Sequence, residues 1–600
     1  MQAVILAAGM GSRLGKYTEA STKCMVKVNG KSLLERIFDS IRMAKINRVV
    51  IVTGYCAEKL RQHADAIGSD LNIEYINNDN YNTTNNIYSL FLASEAMKKD
   101  DTILFESDLI FDPEMVTDLV NCPYPDVVTV SKFENWMDGT VTTFDSNKRV
   151  TAFIEKSKFN WDNCSSYYKT VNIYKLSRDF FANWYFPFLE AYIRTCGNNA
   201  YYEMVLKIIA NINNSDLRIM DVTGKKWYEI DTPQDLQVAE TLFGEQKLKQ
   251  YSERYGGYWR FKDMHDYCYL VNPWFPCEKM MSEIKYSFEE LITQYPSGRR
   301  IVSTAMASML DVSEDYVSVG NGAAELIRIV MKNLKGKFFI TSPSFNEYIN
   351  SAENSEVKTV SCEADSFAYG SDFILSNSES CDTVIIINPD NPSGNFIGRT
   401  EMLQLIDKLT EKGKKIIVDE SFADFAEPEC RYTLMKNDLL AKYPNLSVIK
   451  SISKSYGIPG IRLGALCCAD KNFIDMVNHE LPIWNINSYA EFFMQICGKY
   501  KNEYIEACNK IAAERKRFSE NLKATGKLEV YPSQANYLMC RLNKGTSDSL
   551  AEFLVERNFF IKSLTGKNGC ENGEYIRLAV KTPEQNDELL RILSEYPEWN

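Results

Sequence analysis

The chain has 600 residues, 45% of them apolar and 25% charged, with a formal net charge of −12. That length exceeds a single hydrophobic core, and the composition is that of a chain folded nearly throughout. The acidity excludes a broad nucleic-acid or anionic-membrane footprint, and no window reaches the ~18 apolar residues of a membrane span.

Met1 to Ala8 is apolar but short, lacks a basic leading stretch and runs into glycines, which predicts a buried first strand and a cytoplasmic protein rather than a secretory signal. Apolar runs ("AVILAA", "RVVIVTG", "NIEYIN", "TILFESD") then alternate with helical patterns ("SLLERIFDSIRMAKI", "AEKLRQHADAIG", "IYSLFLASEAM"). Continuous apolar strands between amphipathic helices predict an α/β nucleotide-binding layout, with a parallel sheet covered on both faces. After Asp108 the pattern becomes β-rich, and it ends at "KWYEIDTPQDLQVAETLF". A polar stretch follows, so the expected division is a first domain over 1–243, a linker over 244–260 and a second domain over 261–600. The second domain opens another α/β series, with strands at "YVSVGN", "KFFITS", "DTVIIINPDNPSG", "KKIIVDES", "LSVIKSIS" and "LGALCCA", and a small mixed subdomain from about residue 500. Sixteen scattered cysteines without zinc-ligand or CxxC spacing read as reduced, mostly buried thiols.

In the first domain "LAAGMGSRLG" places Gly9, Gly11 and Gly15 just after the first strand, with Ser12 and Arg13 between them. Glycines let backbone N–H groups approach phosphate oxygens, and Arg13 supplies a charge-assisted contact. No GK[ST] follows, so this is not the P-loop, and the dinucleotide GxGxxG pattern does not fit either. Lys23 and Lys27 follow within the same loop. Asp108 is read as ending its strand, with Glu229 and Asp231 two residues apart on one strand face, three hard carboxylates suited to Mg²⁺.

With "NTTNNIYSL", "ESDLIF" and "YEIDTPQDL", residues 1 to about 243 resemble the nucleoside-diphosphate-sugar pyrophosphorylase superfamily, in its phosphocholine and phosphonate cytidylyltransferase branch. The resemblance implies CMP transfer from CTP to a phosphate or phosphonate oxygen. It implies Gly9, Gly11, Ser12 and Arg13 on the CTP phosphates, Lys23 on charge developing at the α-phosphate, and Mg²⁺ on Asp108, Glu229 and Asp231. Asn85, Asn86 and Ser89 would read the cytidine or the acceptor, and Lys27 and Lys156 would receive the acceptor's phosphonate. The family proline before the lysine is Thr22 here, which leaves that backbone less fixed.

In the second domain "SISKSYGIPGIRLG" puts Lys454 beside Ser451 and Ser453, with Arg462 eight residues on. "GNGAAELI" puts Gly322, Ala323 and Ala324 at a helix N-terminus suited to a phosphate. "NPDNPSG" supplies Asn391, "IIVDES" Asp419 and "PSFNEY" Tyr348. In this order the motifs resemble class I/II, fold type I pyridoxal-phosphate aminotransferases, near the histidinol-phosphate aminotransferase and threonine-phosphate decarboxylase subgroup.

That resemblance implies pyridoxal 5′-phosphate bound through Lys454, which would also shuttle protons, with Asp419 on the pyridinium, Asn391 on the ring hydroxyl and Tyr348 stacked. Ala323, Ala324, Ser451, Ser453 and Arg462 would hold the cofactor phosphate, and Arg577 of "YIRLAV" the substrate carboxylate. Tyr295 of "QYPSG" matches a tyrosine that reaches a neighbouring subunit, implying a homodimer. The family tyrosine that bonds the ring hydroxyl is Phe422 here.

Taken together, the halves resemble fused phosphonate cytidylyltransferase and 2-aminoethylphosphonate aminotransferase enzymes. The expectation is that phosphonoacetaldehyde and an amino donor give 2-aminoethylphosphonate, which CTP then converts to CMP-2-aminoethylphosphonate and pyrophosphate. The alternative is a phosphocholine or phosphoethanolamine cytidylyltransferase fused to a pyridoxal-phosphate-dependent phospho-amino-acid decarboxylase. Both readings take small molecules as partners, with no nucleic acid and no membrane.

Overall fold

A computed structural model describes residues 1–212, 216–353 and 355–599. Two compact units divide it, Met1–Arg260 and Phe261–Asn600.

In the first unit the strand Gln2–Ala7 is buried along its whole length and pairs in parallel with Arg48–Thr53 and Thr102–Glu106. Asn72–Asn77 extends the parallel part. The run needs no polar alternation because it is covered on both faces: Ala3, Ile5 and Ala7 pack into one apolar cluster, Val4 and Leu6 into another. Beyond Thr102–Glu106 the sheet turns antiparallel, through Tyr168–Leu176 to Val127–Lys132 and Val141–Phe144. The β-rich sequence after Asp108 therefore continues the same sheet.

Two boundaries differ from expectation in a way that builds the site. The strand read through Asp108 ends at Glu106 and, after Ser107 and Asp108, a short strand Leu109–Phe111 pairs antiparallel with Trp227–Glu229. The N–H of Ile230 donates to the Asp108 carbonyl at 2.9 Å, so this small ladder brings together carboxylates far apart in sequence. Asp231 lies past the strand rather than on its face. It precedes the helix Pro233–Leu242, which starts with a reciprocal Thr232–Asp235 cap. Residues 244–260 hold a helix, Lys247–Arg254, with Tyr251 buried, and Arg260 donates to the Tyr228 hydroxyl at 2.9 Å.

In the second unit, among the described residues, seven strands form the main sheet in the order Val317–Asn321, Leu463–Cys467, Leu446–Ser451, Lys415–Asp419, Thr383–Ile387, Lys337–Ser342, Glu356–Ser361. All pair in parallel except Leu463–Cys467, which runs against both neighbours. The edge strand Glu356–Ser361 is not among the expected ones, because its half-exposed polar alternation gives a weaker signal than the buried runs. A four-stranded antiparallel sheet, Leu528–Val530, Tyr537–Leu542, Tyr575–Ala579 and Lys562–Ser563, forms the small subdomain. No helix among the described residues is long and apolar enough to cross a membrane.

Candidate active sites

A cavity of about 760 Å³ opens in the first unit beyond the carboxyl ends of the parallel strands, lined by Gly9, Gly11, Ser12, Arg13, Lys23 and Asp108 among others. Gly11 adopts φ 62°, and a Cβ there would stand 3.2 Å from the Cβ of Lys23. The glycine is therefore needed both for its turn and for the approach of the lysine. Gly9 faces open space, as a backbone cradle for a ligand requires.

Lys23 lies between two carboxylates, its Nζ 2.6 Å from Asp108 Oδ2 and 2.5 Å from Asp231 Oδ1. Arg13 meets Asp231 at 2.8 Å. Burial alone would lower the Lys23 pKa, but Asp108 and Asp231 outweigh it and hold the ammonium above the usual lysine value. Oxygens of Asp108, Glu229 and Asp231 converge within 4.8 Å of one another. Asp108 Oδ1 is buried without a hydrogen-bond partner, and burial, together with Asp108 and Asp231 against the relief of Lys169, pushes Glu229 up to about 7. Three converging carboxylates with an orphaned oxygen form a donor set that fits a hard divalent cation such as Mg²⁺.

The remaining expected residues divide. Asn85 and Asn86 line the cavity, but both are also engaged internally. The Asn85 side chain caps the helix Asn86–Leu92, and Asn86 donates to Glu106 at 2.8 Å while accepting from the Tyr202 N–H at 3.0 Å. Ser89 is buried and hydrogen-bonded by Asn78 at 3.2 Å. Lys156 lines the rim, paired with Asp138 at 2.7 Å. Lys27 does not line the cavity: it lies exposed on the two-residue strand Lys27–Val28, because the chain leaves the loop at the turn Lys23–Met25. Sequence reasoning missed Lys169, almost fully buried and 3.5 Å from Glu229, and Glu203. Lys169 sits in "KTVNIYKLS", where a strand lysine carries no motif.

In the second unit the helix Ala323–Asn333 begins after Gly322, which has φ 81° and offers no side-chain cap, so the first turn's N–H groups have no capping acceptor. The Arg462 guanidinium lies against this turn: a Cβ on Gly322 would meet its Nη2 at 2.4 Å. Lys454 sits in the short helix Ile452–Ser455, just past the end of the strand Leu446–Ser451. Burial, with Arg577 and Arg462 against Asp419, pushes its amine down to about 8. Its Nζ lies 4.6 Å from the Phe422 ring centre and 5.1 Å from that of Phe345, an aromatic the sequence reading did not single out.

Asp419 is buried at its strand end, accepting from the Tyr348 hydroxyl at 2.9 Å and the Ser421 N–H at 2.8 Å. Asn391 accepts from Arg577 Nη1 at 2.7 Å, and Arg577 Nη2 donates to the Cys268 carbonyl at 2.6 Å, leaving Nε buried and unpartnered. Ser453 is committed to the backbone, its hydroxyl accepting from the Leu463 N–H at 2.8 Å, and the Ser451 N–H donates to Ser421. Tyr295 is 79% exposed and stacks on Trp484, outside this cluster. A glycine cradle, an uncapped helix start with an arginine, an amine of lowered pKa and a buried carboxylate fit an aromatic aldehyde bearing a phosphate.

Residues 3–153 match the MobA-like NTP transferase domain, and residues 266–593 match Aminotransferase class I and II. The second match spans more than half of the chain, which belongs to that family. The fold is thus an α/β NTP transferase domain followed by a fold type I aminotransferase-like domain, the class whose resident cofactor is pyridoxal phosphate. Over 603 residues the chain is 28% identical to CMP-5′-(3-aminopropyl)phosphonate synthase of Streptomyces rubellomurinus, covering 99% of this chain and 95% of that protein. Its C-terminal part is 32% identical to L-serine phosphate decarboxylase of Sulfurospirillum multivorans, covering 55% of this chain and 87% of the relative. A solved decarboxylase structure from Sulfurospirillum multivorans aligns with a TM-score of 0.52 and 29% identity, over 57% of this chain and 91% of the other.

Proposed function

We propose a bifunctional enzyme whose C-terminal unit decarboxylates an amino acid carrying a phosphate or phosphonate group. The N-terminal unit then transfers CMP from CTP to a phosphorus oxygen of the amine so formed. The observation that carries this reading is the match along the whole chain to a synthase of a CMP-aminoalkylphosphonate, joined to the 32% identity of the C-terminal part to a serine phosphate decarboxylase. These favour decarboxylation over the transamination of phosphonoacetaldehyde that the sequence motifs first suggest. Loss of the carboxylate as CO₂ leaves the amine and the phosphorus group in place, which is what a nucleotidyl acceptor of this type requires.

When bound, pyridoxal phosphate supplies an electron sink for the pair left at Cα as CO₂ departs. The protein's part is binding and proton management. Ala323, Ala324 and Arg462 would hold the cofactor phosphate, Asp419 would keep its ring nitrogen protonated, and Arg577 would orient the substrate's acid group. Lys454, with its amine near neutrality, would return a proton to Cα.

In the N-terminal unit Asp108, Glu229 and Asp231 would hold Mg²⁺, which neutralises phosphate charge. Gly9, Gly11, Ser12 and Arg13 would cradle the triphosphate, and Lys23 would move from its carboxylates to the α-phosphate. The acceptor oxygen attacks the α-phosphorus and pyrophosphate leaves.

A dimer built on the second unit is part of the proposal. Tyr286, Phe288, Ile292, Tyr295, Ile483 and Trp484 are each exposed by 48% or more around the Tyr295–Trp484 stack, an apolar cost that a second copy would relieve.

Purified protein loaded with pyridoxal phosphate is expected to release CO₂ from O-phosphoserine or a phosphono-amino acid of comparable length, and pyrophosphate once CTP and Mg²⁺ are added. Amine formation that needs an amino donor and releases no CO₂ would replace decarboxylation with transamination.

A further inference from the structure

We propose that Glu203 and Glu106 form the subsite for the acceptor's ammonium group, so that the N-terminal unit selects phosphorus acids carrying an amine over their deaminated analogues. This rests on the cytidylyl-transfer reading of the same cavity and adds what that reading leaves open, the half of the acceptor remote from phosphorus.

Glu203 opens the helix Glu203–Ala210 and is only 8% exposed, yet it lines the cavity. Its Oε1 accepts from the Tyr174 hydroxyl at 3.4 Å, while Oε2 is buried with no hydrogen-bond partner. A carboxylate in that state is costly unless a cation or donor arrives. Glu106, at the end of the central strand Thr102–Glu106, lines the same cavity.

The two acids are tied together by Asn86, which donates to Glu106 Oε1 at 2.8 Å and accepts at 3.0 Å from the N–H of Tyr202, the residue before Glu203. Asn86 thus ties the Glu106 carboxylate to the backbone that starts the helix of Glu203, which fixes the two elements carrying the acids beside one cavity.

The fixed cations nearby are committed elsewhere. Lys23 lies between Asp108 and Asp231. Lys169 gives Glu203 partial relief, but its ammonium donates to the Thr170 carbonyl at 2.7 Å and pairs with Glu229 at 3.5 Å. Lys207 pairs with Glu155 at 2.8 Å. Mg²⁺ on Asp108, Glu229 and Asp231 would leave Glu106 without a cation and Glu203 with only the partial relief of Lys169, and burial holds the Glu203 carboxyl above its ordinary range. A primary ammonium offers three donors on one charge, enough to meet both acids at once.

The test compares pyrophosphate release from CTP and Mg²⁺ with 2-aminoethylphosphonate against ethylphosphonate, and phosphoethanolamine against ethyl phosphate. The wild-type protein is expected to prefer the amine in one or both pairs by about thirtyfold or more in kcat/KM, the scale of losing one partner of a buried charge pair. Glu203→Gln and Glu106→Gln should bring that ratio near one with the KM for CTP little changed, and Glu203→Asp should restore part of it. Equal use of both acceptors by the wild-type protein, or a parallel loss for both in the variants, overturns the assignment and leaves cytidylyl transfer standing. No pyrophosphate with any acceptor overturns the transfer reading itself, and this subsite with it. If the glutamine variants fail to fold, the wild-type acceptor ratio alone decides.

Discussion

Arg462 occupies the space that a side chain at position 322 would need, its Nη2 only 2.4 Å from where a Cβ on Gly322 would stand. The glycine also has φ 81°, so two independent constraints meet at the turn that opens the helix Ala323–Asn333. Gly322→Ala should displace the guanidinium and strain the turn. Strain of this kind costs about 1–3 kcal/mol, so pyridoxal phosphate is expected to bind roughly five- to a hundredfold more weakly, read by titrating cofactor absorbance. Unchanged affinity would remove this turn from the cofactor site.

Lys454→Ala should abolish the absorbance near 420 nm of the cofactor joined to the protein, and CO₂ release with it, while CTP-dependent pyrophosphate release from supplied amine continues. Loss of both activities would show that the units do not act separately.

The amine of Lys454, lowered to about 8, also predicts a pH dependence. In cofactor-free protein the unfolded chain binds more protons than the folded one between about 8 and the ordinary lysine value of about 10.4. Stability of the wild-type protein relative to Lys454→Met should therefore be lowest below pH 8, rise through that window and level off above it. Melting temperatures of the two proteins across pH 7 to 11 check the sign.

Chelation of divalent cations should stop pyrophosphate release and leave decarboxylation intact. Asp108→Asn should lower pyrophosphate release by about a hundredfold or more, because the metal loses a charged ligand and Lys23 loses a partner. An undiminished rate in EDTA would exclude the acidic trio as a metal site.

Arg577→Lys should raise the KM for the amino-acid substrate about tenfold or more while cofactor binding persists. A lysine cannot keep the contacts to Asn391 and Cys268 and present a planar fork to the substrate's acid group.

Much of the architecture was legible in the chain. Buried strands such as "AVILAA" and "IIVDES" carry their signal locally, since apolar residues on both faces leave no other stable placement. The segments proposed to hold the cofactor stand out because each combines a turn residue with a polar group at a strand or helix end. Lys27 misled because closeness in sequence to Lys23 says nothing about direction once the chain turns at Lys23–Met25. Glu203 and Lys169 were invisible because a lone charged residue in a helix or strand has no periodicity that separates it from a solvated one.

The sequence by itself determined two α/β units, a glycine turn with a lysine behind it, and a lysine segment at the end of a buried strand, because these follow from local backbone demands and burial. Only the tertiary structure decided which charges meet. The short pairing of Leu109–Phe111 with Trp227–Glu229 gathers the acidic trio, and Asn86 binds Glu106 to the start of the helix that carries Glu203. Electrostatic energy depends on distance and on exclusion of water, and neither is written in the spacing of residues along a chain.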